Sequence, residues 1–336
     1  MKLAALMLVA LMPLLHAGGL GEKAAPAGQA VTVRDYLGRE VRVGLPVQSI
    51  VSLNSGLSEI IAALGFAHRL IGRDSFSTFP PSLSRVPVTA RNSSAPNMET
   101  LIALQADLLL ADPMFDAGKI AILEKQGMAV IVESTSNPRR LPGLVENLGR
   151  VLQAEARAAE LNALLLELTD RVSAAVDALN LGEEQRTAVY FESRRRGQSA
   201  SEGSGHDYFI RTAGGRNIAA AQPVEYPLLS GEFIAMANPG VIIRRVSGDA
   251  SRKEMAAMRE EIMGRPSLKS TDAVLNGRVH IVKSDLFIAL RYPAGMAYYA
   301  ALFYPNTFSL NPVKLHEEIT QKLFGEWCPD ETFIYP

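Results

Sequence analysis

Apolar residues recur at gaps of three and four through residues 141–180: Leu144, Leu148, Val151, Ala154, Ala158, Leu161, Leu165, Leu168, Val172, Val176 and Leu179. That spacing is one face of a helix. Glu146, Arg150, Arg157, Glu160, Asp170 and Arg171 fall between them and suit a wet face. A single helix of that length would be a rod of roughly 60 Å. The stripe is weakest beside Glu155, where only Ala154 and Ala158 hold it, so a break near Gln153 is the alternative to one rod.

Before this stretch the pattern has a shorter beat. Residues 31–43 alternate on both sides of Asp35–Gly38, which predicts a hairpin. Short apolar strands follow at 50–52, 70–72, 108–111 and 129–132, separated by helices at 55–64, 96–106 and 117–126. After the long stretch the beat resumes. Strands are expected at 187–191, 241–243 and 278–282, and helices at 207–213, 230–237, 255–263, 293–303 and 313–324. Such alternation implies parallel sheets covered on both faces. The expected fold is α/β: two Rossmann-like lobes with parallel sheets joined by a long rigid α-helix. The divisions are a leader at 1–30, lobes at 31–140 and 186–336, and a linking segment at 141–185.

Composition narrows the class. A chain of 336 residues, 48% hydrophobic, is large enough for two domains. Its net charge of −1 provides no general attraction to nucleic acid. Lys2 precedes an apolar run from Leu3 to Leu15, and Ala17, Gly18 and Gly19 follow. This is the layout of an export signal peptide, with cleavage after Ala17, Ala27 or Ala30. The expected mature form is a soluble periplasmic monomer. The one cysteine, Cys328, permits no disulfide within a chain and no thiolate cluster, and it receives no role.

In open parallel sheets ligands bind beyond the carboxyl ends of the strands. The loops there include residues 52–55, 74–80, 112–115, 192–196, 244–245 and 284–292, and two facing lobes would line one cleft with them. Arg194, Arg195 and Arg196 form a basic run in one such loop. They suit an anionic chelate, with a solvated basic loop as the alternative. Arg244 and Arg245 are neighbours on an extended chain, so at most one of them should face the cleft, and Arg245 is the candidate. Arg291 would pair with a carboxylate and Tyr292 would offer a phenolate to iron. Arg91, Asn92, Phe76 and Phe79 are further lining candidates. Five histidines, one of them in the leader, do not make a cage for a free metal ion.

Several stretches carry a family resemblance: 35–39 (DYLGR), 50–60 (IVSLNSGLSEI), 96–99 (PNME) with 105–110 (QADLLL), 213–217 (AGGRN), 226–232 (YPLLSGE) and 276–280 (NGRVH). In this order they resemble the substrate-binding proteins of ABC importers for iron–siderophore complexes, haem and cobalamin. The resemblance implies two Rossmann-like lobes on a helical linker that close modestly on a ligand. It implies docking on a membrane permease through one glutamate on each lobe, with release driven by the importer's cytoplasmic ATPase; the matching positions are Glu99 and Glu232. The expected cargo is a metal chelate, an iron–siderophore first and haem or cobalamin next, with no resident cofactor and no metal ligands in the chain. A chelatase-like enzyme or a ligand-sensing module on the same fold is the rival reading. No Gly-x-Ser-x-Gly elbow, phosphate-binding Walker loop or His-Glu-x-x-His supports catalysis.

Overall fold

The computed structural model describes residues 29–325 and 333–336. Residues 1–28 of the expected leader, and Cys328, lie outside the described residues. Strands β1 (Ala30–Arg34) and β2 (Glu40–Gly44) form the predicted hairpin. The first lobe then runs β3 (Ile50–Ser52), α1 (Ser55–Ala63), β4 (Leu70–Asp74), β5 (Val88–Ala90), α2 (Met98–Leu104), β6 (Leu108–Ala111), α3 (Ala117–Lys125) and β7 (Ala129–Val132). Its sheet has the order β5-β4-β3-β6-β7, all parallel. Helix starts follow their side-chain caps: Asn54, Asn97 and Asp116 each accept a backbone N–H from the first turn.

The stretch at 141–180 is two helices, α4 (Leu141–Leu152) and α5 (Glu155–Asp177), which decides for the break near Gln153. Gln153 takes a left-handed conformation (φ 57°), which ends α4. The chain then reverses. Asn162 donates to the Pro142 carbonyl (3.0 Å), and Gly149 packs so closely on Ala158 that a larger residue would collide. Helix α4 therefore lies in the first lobe, where Asn147 and Arg150 reach the carbonyls of Arg34 and Thr32 on β1. Only α5, about 35 Å long at 1.5 Å per residue, connects the lobes.

The second lobe runs β8 (Ala188–Glu192), α6 (Gly205–Thr212), β9 (Arg216–Asn217), α7 (Gly231–Ala237), β10 (Val241–Val246), α8 (Arg252–Met263), α9 (Asp272–Leu275), β11 (Val279–Lys283), α10 (Tyr292–Phe303), α11 (Pro312–Phe324) and β12 (Ile334–Tyr335). The sheet order is β12-β11-β10-β8-β9, parallel except for β12, which pairs antiparallel with β11. Strand β10 is longer than expected, so Arg244 and Arg245 lie within it.

One apolar cluster runs through both lobes. It joins the inner faces of the two sheets to α1, α4, α5, α10 and α11, and smaller clusters fill the outer face of each lobe. Residues 284–291, between β11 and α10, carry the second lobe onto the first. Ala289 N–H donates to Thr135 O (3.2 Å), and Ile288 packs over Gly56. Arg291 Nε donates to Glu59 Oε2 of α1 (3.1 Å), with side chains only 5% and 3% exposed. Removing one member of such a pair leaves a buried charge uncompensated. Arg291→Ala should lower the unfolding free energy in urea by roughly 3–5 kcal/mol, and Glu59→Gln/Arg291→Met should recover part of it. A loss under about 1 kcal/mol would mean that the pair is not a structural link.

Candidate functional site

The carboxyl ends of the two sheets face each other across a seam. Asn137 Nδ2 donates to Gly203 O (3.3 Å), and Gly205, the first residue of α6, lies against the Ser136 carbonyl with no room for a Cβ. Tyr36 on the hairpin turn and Tyr226 from the loop after β9 stand on opposite lobes near this seam. Burial, then Glu225, pushes the Tyr226 phenol up to about 12, and Tyr36 adds in the same direction. The Arg140 guanidinium stacks over the Tyr36 ring at 4.5 Å.

Strand alternation separates the two arginines of β10. Arg244 points to the outer face, donating to Glu192 Oε1 (2.8 Å) and to the Arg194 carbonyl. Arg245 points the other way, toward α6 and α10. Its Nε has no hydrogen-bond partner among the described residues. Burial, then the nearby Arg194 charge, lowers its pKa. A cavity of about 260 Å³ opens at the carboxyl end of β10, lined by second-lobe residues that include Arg194, Arg244, Arg245, Ser247, Asp249 and Glu254.

Glu192, at the end of β8, holds this corner together. It accepts from Tyr190 Oη (2.7 Å), Gly197 N–H (2.9 Å), Arg244 and both terminal nitrogens of Arg265 (2.6 and 2.9 Å). Burial would raise its pKa, yet the hydrogen bonds from Arg265, Gly197 and Tyr190 outweigh that and hold it low. The basic loop is therefore anchored by a buried carboxylate. Gly197 sits at φ +76°, where its carbonyl pairs with Leu229 N–H (2.8 Å).

The expected lining residues separate. Arg194, Arg195 and Arg196 are exposed on the loop after β8, and Arg196 approaches Glu261 at 3.8 Å. Arg91 is exposed, and its carbonyl accepts from Ser75. Asn92 turns inward on its own loop, accepting from Ser94 Oγ (2.8 Å) and Ala95 N (3.0 Å). Phe76 is half-buried. Phe79 stands edge-on to Phe324 (5.3 Å) with Arg291 over its face (3.9 Å), so it belongs to the lobe–lobe packing. Arg291 is committed to Glu59. Tyr292 is buried, with its hydroxyl on Thr169 Oγ1 of α5 (2.9 Å), which leaves no phenolate for a ligand. Both expectations fail because the partners come from distant parts of the chain.

Glu99 and Glu232 are exposed in the first turns of α2 and α7, behind the caps Asn97 and Ser230. Its own backbone N–H, then the Ser230 hydroxyl, holds the Glu232 carboxyl below its usual range. Among the described residues no three His, Cys, Asp or Glu side chains are placed to hold a metal ion. No described helix is long and apolar enough to cross a membrane.

A two-lobed α/β protein whose sheets present their carboxyl ends to one seam has the architecture of a binding protein. The chain belongs to the periplasmic binding protein family, whose profile matches residues 50–286. It is 26% identical to a cobalamin-binding protein of Halobacterium salinarum over 258 residues, covering 76% of this chain and 68% of that one. The fold superposes on a periplasmic heme binding protein from Pseudomonas aeruginosa with a TM-score of 0.69 and 25% identity, covering 79% and 95% of the two chains. An ABC transporter solute binding protein from Sulfurospirillum deleyianum shares the fold with a TM-score of 0.67 at 19% identity, covering 88% and 95%.

Glu133, at the end of β7, is buried, and burial pushes its pKa up to about 7 against the pull of Arg140. The folded protein then keeps a proton that the unfolded chain releases near its ordinary value. That contribution to stability is complete below about pH 4.5 and is lost as the pH rises through about 7. Glu133→Gln should therefore show a smaller fall in urea midpoint between pH 5 and pH 8 than the parent protein. An equal fall in both would place the Glu133 carboxyl in water.

Proposed function

We propose that the chain is the periplasmic substrate-binding component of an ABC importer, and that it holds a preassembled metal complex with an anionic rim in the interlobe cleft. It captures and delivers its cargo without chemical change. The observation that carries this reading is the pair Arg194 and Arg245. Both guanidiniums line one cavity at the carboxyl end of the second-lobe sheet, and Arg245 has an unpartnered Nε. An anion there would relieve the repulsion and fill the missing hydrogen bond. The donor set suits a complexed metal better than a bare ion, because no cluster of metal-ligating side chains is present among the described residues.

The cargo we favour is a cobalt corrinoid of the cobalamin type, whose phosphodiester is such an anion. The similarity to a cobalamin-binding protein over three quarters of the chain supports this choice. Haem, with two carboxylates, is the second reading, favoured by the likeness to the Pseudomonas aeruginosa protein. A ferric siderophore has less support than either. Periplasmic location rests on family membership and on the leader-like residues 1–30.

Delivery would use Glu99 and Glu232. Each is an exposed carboxylate at a helix start, one per lobe, which makes a two-point dock that fixes orientation and speeds encounter. The neighbour from Sulfurospirillum deleyianum, an ABC transporter solute binding protein, supports a permease and ATPase as partners.

Titration with cyanocobalamin, haemin and a ferric hydroxamate chelate, followed by absorbance, tests the cargo. Arg194→Met/Arg245→Met should weaken the bound complex about tenfold or more, a change of about 1.4 kcal/mol; an unchanged Kd would remove the anion site. Glu99→Arg/Glu232→Arg should abolish uptake into cells while the Kd stays the same. Undiminished uptake would remove the docking role.

A further inference from the structure

The core of the second lobe holds a polar group that the packing leaves unfinished. His206 is the second residue of α6, at the seam between the lobes, next to Gly205 and the Ser136 carbonyl. Its ring stacks on Phe191 (4.0 Å between centroids), stands edge-on to Phe209 (5.8 Å) and tilts toward Phe287 (6.4 Å). It is 8% exposed, and Nδ1 has no hydrogen-bond partner among the described residues. Buried polar atoms are nearly always satisfied, so an orphan at a seam asks for a partner. Arg245, whose Nε is also unpartnered, projects from the same sheet face: Ile243, two residues before it, pairs with Phe191, on which His206 stacks. Burial first, and then the Arg245 charge, holds the His206 pKa well below its usual value. The imidazole is therefore neutral near pH 7 and offers one N–H beside a permanent cation. The two residues come from different elements, β10 and α6, and both lie on the Phe191 face of the second-lobe sheet.

We propose that Arg245 and His206 form a recessed two-point receptor for one oxyanion on the rim of the cargo. This rests on the proposed function and adds to it a specificity-determining residue, His206. The receptor takes a phosphodiester from a corrinoid or a carboxylate from a porphyrin. Arg245 provides charge and the Nε–H, and His206 provides a neutral donor without adding a second charge to the crowding by Arg194. The aromatic walls Phe191, Phe209 and Phe287 keep water out, which strengthens both hydrogen bonds.

The test compares ligands that differ only in the oxyanion. One arm measures cyanocobalamin against dicyanocobinamide, which lacks the nucleotide loop and its phosphodiester. The other measures haemin against its dimethyl ester. His206→Phe keeps the ring among its aromatic neighbours and removes both nitrogens, and His206→Asn restores a polar group near Nδ1. Melting curves confirm that both variants fold. For whichever cargo the parent binds, its preference for the oxyanion-bearing ligand should fall roughly three- to tenfold in His206→Phe and return in part in His206→Asn. A parent that binds the cargo, with the same preference in His206→Phe, overturns this receptor and leaves the proposed function standing. A parent that binds neither cyanocobalamin nor haemin overturns both.

Discussion

The Arg291 guanidinium lies 3.1 Å from the Glu59 carboxylate, 232 residues earlier in the chain, and both are out of water. Burial pushes the Glu59 pKa up to about 7, against the pull of Arg291, so desolvation offsets much of the pair's attraction. It sits where residues 284–291 leave the second lobe and lie on α1 of the first. Helix α5 sets how far apart the lobes are, and this buried crossing sets how they face. The cleft inherits its shape from both. Closure around a ligand must then come from loops and small lobe adjustments, since a wide hinge motion would expose Glu59 and Arg291.

The proposed binding corner is built on the opposite balance. Around Glu192 every charge is compensated: two arginines, a tyrosine and a backbone N–H converge on one carboxylate. One residue further along β10, Arg245 has no carboxylate partner and faces another cation. The satisfied network holds the loop rigid, and the unsatisfied pair beside it is the part that gains from a ligand. A preorganised site of this kind spends little on ordering when the ligand arrives.

Much of the fold was legible because it rests on local signals. The alternation of short apolar strands and capped helices located both sheets. The weak stripe around Ala154 and Ala158 located the break at Gln153. The reversal there was not legible, because it depends on a left-handed non-glycine residue and on the close contact of Gly149 with Ala158. Alternation turned Arg244 and Arg245 to opposite faces of β10, and the bond that holds Arg244 comes from Glu192, 52 residues earlier in the chain. Arg291 and Tyr292 have the right chemistry for a ligand, but Glu59 and Thr169 take up that chemistry through long-range packing. The orphan nitrogen of His206 became visible only once Phe191 and Phe287 surrounded it.

The central claim is that cargo is held at the seam between the lobes, by loops from both. Hydrogen–deuterium exchange with and without saturating cyanocobalamin, or haemin if that is the complex bound, reads this directly. The account predicts added protection together in residues 193–204 and 224–230 of the second lobe and in residues 91–97 and 133–137 of the first. Protection confined to one lobe, or placed away from these loops, would contradict it.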